Sequence, residues 1–164
     1  MKEELNCALK RDIPLAPLTT MGIGGRAKWF TKIHTIEQMQ SIMLWCKERG
    51  ERFWILGKGS NSIFHEKGFD GLVILNKIQF LEDSVPGQFY VGAGYSFPLL
   101  GTQTAKKGYK GLEFAAGIPA SVGGAVFMNA GANKQETVDV LVEVRFLDDK
   151  GHYKVYCKDE LTFA

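Results

Sequence analysis

Apolar residues at Ile36, Met39, Ile42, Met43 and Cys46 recur at three- and four-residue steps, which gives residues 35–50 one apolar helical face. Thr35 with Gln38 three residues on is a capping-box pattern, and Gly50 stands where such a helix ends. Shorter apolar runs read as strands. Residues 27–33 contain Trp29 and Phe30, which favour extended backbone, while 52–56 and 71–75 read as buried strands. Strand, helix and strand over 27–33, 35–50 and 52–56 predict a βαβ unit. Residues 77–83 and 89–91 are expected as further strands on either side of a turn at Pro86-Gly87. Ser96 is the expected cap of a helix over about 97–107, with Pro98 in its first turn and Gly108 at its end. Residues 140–147 and 152–157 flank Asp148-Asp149-Lys150-Gly151, which reads as a hairpin turn.

Two stretches break this pattern. Residues 111–132, GLEFAAGIPASVGGAVFMNAGA, hold one charged residue, Glu113, and glycines at 111, 117, 123, 124 and 131. So little side-chain bulk makes a weak core and lets backbone come close to another surface. Taken alone, the run fits a tightly packed loop with a short helix, or a bed for a ligand. If a helix starts within it, its leading amides suit a phosphate or a carbonyl oxygen of a ligand. Glu113, if buried there, needs a partner.

Upstream, residues 56–64 read LGKGSNSIF and follow the expected strand 52–56. Successive N–H groups in such a small-residue turn form an anion nest, to which hydroxyl and amide side chains add donors. A pyrophosphate suits it, at the carboxyl end of a strand where open α/β sheets bind ligands. The spacing is not the dinucleotide fingerprint, since Ser62 falls where its third glycine belongs, and no Gly-Lys-Ser/Thr closes a Walker-type loop.

Composition narrows the function classes. The 164 residues are 45% hydrophobic and 23% charged, near the average of globular domains. A net charge of +2, with the charges interspersed, points to neither nucleic acid nor a membrane surface. Cys7, Cys46 and Cys157 are widely spaced, as are His34, His65 and His152, so neither disulfides nor a metal are expected. No stretch approaches a membrane span in length.

Together the two stretches resemble the FAD-binding domain of the UDP-N-acetylenolpyruvoylglucosamine reductases, flavoenzymes of bacterial cell-wall precursor synthesis. The family pattern LGxGSN matches Leu56-Gly57-Lys58-Gly59-Ser60-Asn61, and GxPGxxGGAxxMNAGA matches residues 117–132. Ala120 replaces a usual glycine. A third element near the N-terminus is similar to Thr19-Thr20-Met21-Gly22-Ile23-Gly24-Gly25, with Thr19 and Met21 in place of the usual Asn and aromatic.

The resemblance implies an α+β fold of the vanillyl-alcohol-oxidase or PCMH type. It would consist of an arm over 1–14 and an FAD-binding domain over 15–164, with subdomains at about 15–80 and 85–164. It implies non-covalently bound FAD, held by Gly57, Lys58, Gly59, Ser60, Asn61, Ser62, Gly117, Ala120, Ser121, Gly123, Gly124 and Asn129. NADPH is the implied reductant, a UDP-linked enolpyruvyl sugar the substrate, and the bacterial cytoplasm the setting. The family's catalytic arginine, serine and glutamate lie in segments with no counterpart here, so no catalytic residue is assigned. A C-terminal substrate-binding domain is expected beyond Ala164, and these residues alone are expected to be inactive. Two other classes stay open: another FAD oxidoreductase of the same fold, and a flavin-holding module that serves a partner chain.

Overall fold

A computed structural model of the chain describes residues 5–163. Of the N-terminal arm, residues 1–4 lie outside the described residues, as does Ala164. The fold comprises two compact units. The first takes residues up to Ile78 together with Leu147–His152, and the second takes Gln79–Phe146 and residues from Tyr153 onward.

The first unit is built on a four-stranded sheet. Its strands are β1 (Lys10–Pro14), β2 (Arg26–Ile33), β3 (Phe53–Leu56) and β4 (Phe69–Asn76), in the order β1-β2-β4-β3. Residues 10–14, read from the sequence as part of an arm, instead pair antiparallel with β2. β2, β4 and β3 run parallel. The helix α1 (Ile36–Arg49) connects β2 to β3, but β4 lies between those two strands.

This order changes the status of β3. The run at 52–56 reads as buried, yet β3 is the edge strand, with Phe53, Trp54 and Ile55 exposed and only Leu56 buried. The buried position goes to β4, whose Leu72, Val73 and Ile74 have no accessible surface. Leu72 and Ile74 join Ile33, Met39, Ile42, Met43, Trp45 and Cys46 in one apolar cluster under α1. Val73 and Leu75 join Ala27, Phe30, Leu15, Leu56 and Phe64 in a second cluster on the other face. Side chains alternate across a strand, so Ala27 and Trp29 belong on one face of a regular β2. A register shift between Ala27 and Trp29 removes that constraint. Ala27 then packs with Phe30, while Trp29 packs beneath α1.

α1 forms as its pattern predicts. Thr35 Oγ1 accepts the Gln38 N–H at 3.2 Å, and Gly50 ends the helix in left-handed backbone. The reciprocal bond differs from a standard capping box: Gln38 Oε1 accepts from the His34 N–H at 2.6 Å, one residue before the cap. Burial under α1 pushes the Cys46 thiol up to about 11, with the Glu51 carboxylate adding to the effect.

The second unit contains β5 (Leu81–Val85) and β6 (Gln88–Val91), joined by the turn at Pro86-Gly87. The helix α2 (Phe97–Lys106) carries Pro98 in its first turn. It packs through Phe97 and Leu100 on Phe114, Ala115 and Ala125. A 3-10 turn (Glu113–Gly117) leads to α3 (Val122–Phe127). The short strands β7 (Gly131–Ala132) and β8 (Gln135–Glu136) then precede α4 (Thr137–Val140). Residues 137–140 are therefore helical, and the strand expected from 140 begins only at β9 (Glu143–Leu147). β9 pairs with β10 (Tyr153–Cys157) through the predicted turn. There the Asp148 carboxylate accepts the N–H groups of Lys150 and His152.

Gly59 is the tightest point near the first glycine-rich loop. A Cβ there would lie 2.0 Å from the Leu18 carbonyl oxygen, and its φ is +71°. Gly59→Ala is expected to lower stability by about 2–4 kcal/mol, combining overpacking with left-handed strain. Urea denaturation checks this, and a variant as stable as the parent would contradict the close approach.

Candidate functional site

The loop after β3 is shaped by its neighbours in the first unit. The segment from Thr19 to Gly25 folds over it, with the Thr20 N–H donating to the Gly59 carbonyl at 3.0 Å. Thr19 is buried, and its hydroxyl donates to the carbonyls of Ala16 and Ile23. Thr19 thus holds the shape of that segment. Phe64 anchors the far end of the loop in the second-face cluster, edge-on to both Trp54 and Phe69.

Between these anchors, Gly57, Ser60 and Ser62 are half-buried, Lys58 and Asn61 are exposed, and Gly59 is buried. Among the described residues, the side chains of Ser60, Asn61 and Ser62 have no hydrogen-bond partner. Three adjacent polar side chains with uncommitted donors, on a loop fixed from both ends, suit an oxygen-rich anion.

The second glycine-rich segment lies in the second unit and is organised in the opposite way. Its polar groups are committed to the protein. The leading N–H groups of α3 are all taken: Val122 donates to Tyr95, Gly123 to Ala93, and Gly124 to the Ser121 hydroxyl at 3.3 Å. The expectation that this helix start offers amides to a phosphate or flavin carbonyl is corrected accordingly. Ser121 is 3% exposed and acts as the helix cap. Asn129 is bonded through both ends of its amide, to Glu136 and to the Val138 N–H.

What this segment offers is shape. A Cβ on Gly123 would fall 2.8 Å from the Ala93 Cβ, so that glycine admits the chain's own backbone. At Gly117, by contrast, nothing lies within 4 Å of such a Cβ. Gly124 and Ala120 complete a small-residue surface that is half-buried. Glu113 is exposed rather than buried, and accepts the Gly111 N–H at 2.6 Å. Its own N–H and that of Gly111 hold its carboxyl below the usual range. Among the described residues no group of His, Cys, Asp and Glu could hold a metal, and no helix is long and apolar enough to cross a membrane.

This fold is the PCMH-type FAD-binding fold. The chain belongs to the FAD binding domain family, which matches it over residues 27–155. It is 52% identical, over 98% of its length, to the UDP-N-acetylenolpyruvoylglucosamine reductase of Protochlamydia amoebophila (strain UWE25). The crystal structure of UDP-N-acetylenolpyruvylglucosamine reductase from Thermus caldophilus superposes with a TM-score of 0.79 at 36% identity, covering 96% of this chain and 55% of that one. p-Cresol methylhydroxylase shares the fold at 16% identity, with a TM-score of 0.57 over 89% of this chain and 29% of its own. The chain spans about half the length of the curated relatives it matches, 52% in the Protochlamydia case.

Sequence reasoning found both segments but could not tell which polar side chains are spent internally. Glu136 and Thr137, which clamp the second segment, were missed. The signal was there: Glu136 and Asp139 have the spacing of a capping box, directly after a glycine-rich run. Ser121→Ala is expected to cost about 1 kcal/mol of stability, the usual loss for a helix cap. Ser60→Ala and Asn61→Ala are each expected to stay within about 0.5 kcal/mol of the parent. Denaturation of the three variants without ligand checks this, and equal losses would make the first loop's side chains structural.

Proposed function

We propose that the chain is the FAD-binding portion of an NADPH-dependent reductase. Its substrate is UDP-N-acetylglucosamine enolpyruvate and its product UDP-N-acetylmuramate, a precursor of peptidoglycan in the bacterial cytoplasm. The observation that carries the proposal is the row of uncommitted donors at Ser60, Asn61 and Ser62, on a loop whose backbone is locked by Thr20 and Phe64. The 52% identity to a reductase of this name supports the substrate.

In this reading the FAD pyrophosphate is held by Gly57, Lys58, Gly59, Ser60, Asn61 and Ser62. Gly117, Ala120 and Gly124 admit the cofactor closely, while Gly123 lets the segment close on Ala93 and Ser121 and Asn129 keep it in shape. Neither segment contains His or Cys, so binding is non-covalent. When bound, FAD would supply the redox chemistry that links NADPH to the enolpyruvyl double bond. This chain's part is to bind and orient the cofactor. The relatives are about twice as long, and we assign substrate binding and proton delivery to the half not spanned here.

The chain incubated with FAD and freed of excess is expected to be yellow, and to release FAD rather than FMN on denaturation. Asn61→Ala is expected to weaken FAD binding about 2- to 10-fold, the worth of one net hydrogen bond. A folded chain that stays colourless, or that retains FMN in preference, would overturn the proposal. With FAD in excess, the 164 residues should not oxidise NADPH in response to UDP-N-acetylglucosamine enolpyruvate. Turnover near one per second, within the ordinary enzyme range, would mean that the catalytic groups lie within this chain.

A further inference from the structure

The end of the second segment carries a clamp that cofactor binding by small residues does not by itself require. Asn129 has a φ of +44°, in the left-handed region that asparagine adopts more readily than most residues, though less freely than glycine. Its side chain is used at both ends. Oδ1 accepts the Val138 N–H at 3.0 Å, and Nδ2 donates to the Glu136 carboxylate at 2.8 Å. The next residue is tied as well, since the Thr137 hydroxyl and N–H both donate to the Ala130 carbonyl, at 2.7 and 3.0 Å. Glu136 also accepts the Asp139 N–H, and the Asp139 carboxylate accepts the Glu136 N–H at 2.8 Å, so Glu136 is itself held in place.

The chain returns from Asn129 to Glu136 through β7 and β8, which turn at Asn133-Lys134 with φ of +54° and +66°. Both turn residues are left-handed, the signature of a tight two-residue hairpin. That hairpin already closes on its own ladder between Gly131–Ala132 and Gln135–Glu136. Glu136 is exposed, and a hydrogen bond there adds little to stability. What the Glu136–Asn129 bond adds is a fixed geometry for a left-handed residue next to the small-residue surface.

We infer that Glu136 is a positioning residue for the cofactor: acting through the Asn129 amide, it holds the backbone of residues 128–130 in the shape that receives the flavin nucleotide. The inference rests on the FAD reading above. Glu136 does not touch the cofactor, and its carboxylate serves as an acceptor rather than as a charge.

The test is a double-mutant cycle on FAD affinity, read by quenching of flavin fluorescence, with melting of each variant measured without FAD. Glu136→Ala is expected to raise the FAD dissociation constant about tenfold, the equivalent of one strong hydrogen bond. Glu136→Gln keeps an acceptor for Asn129 and should stay within about twofold of the parent. Asn129→Gly tolerates the left-handed backbone but loses the amide's bonds to both Glu136 and Val138, and should weaken binding at least as much as Glu136→Ala. Combining it with Glu136→Ala should add nothing beyond Asn129→Gly alone, because the bond to Glu136 is already lost. Glu136→Ala binding within twofold of the parent, Glu136→Gln as weak as Glu136→Ala, or additive losses would overturn the inference. A parent that binds no FAD would remove the FAD reading and this inference with it. A parent that binds FAD alongside unaffected variants would remove this inference alone.

Discussion

The contact on which the first unit's glycine-rich loop depends is backbone against backbone, where Gly59 meets the carbonyl of Leu18. A Cβ on Gly59 would collide with the backbone of Leu18 and Thr19, so no side chain fits between the loop and the start of the covering segment. The Thr20 donation to the Gly59 carbonyl fixes their register. Leu56 and Phe64, on either side of the loop, both sink into the second-face cluster with Leu15, which precedes the covering segment. Apolar burial and one hydrogen bond thus set the frame, and the polar side chains between them are left for something else.

The two glycine-rich segments look alike in sequence and differ in chemistry. In the first, small residues give the chain a tight seat while Ser60, Asn61 and Ser62 keep their hydrogen-bonding capacity. In the second, the polar groups are consumed: Ser121 by the Gly124 N–H, Asn129 by Glu136 and Val138, and the α3 amides by the carbonyls of Ala93 and Tyr95. One segment offers donors and the other offers space.

Much of this was legible in the sequence because it is local. The α1 periodicity, its Thr35 cap and Gly50 stop, the Pro86-Gly87 turn and the Asp148–Gly151 turn each follow from a few neighbouring residues. What was not legible depends on partners distant in the chain. The run at 52–56 is as apolar as that at 71–75, and only the order β1-β2-β4-β3 decides which becomes the edge. The edge role of Lys10–Pro14 was hidden by its charge, since a strand with one neighbour needs only Ile13 to face the core. Asn129 reads equally well as a ligand donor or a structural link until Glu136 and Val138 are seen beside it.

The edge position of β3 carries a consequence for how this chain behaves in company. Its outer rim presents unpaired backbone groups flanked by Phe53, Trp54 and Ile55, the combination that recruits a foreign strand. The strand is only four residues long, from Phe53 to Leu56, and the glycine-bearing loop cuts it off at once. Brevity is therefore a safeguard as well as a lead into the glycine-rich loop. Any change that extended β3 past Gly57 would lengthen an adhesive rim while straightening the loop, trading the loop's shape for self-association.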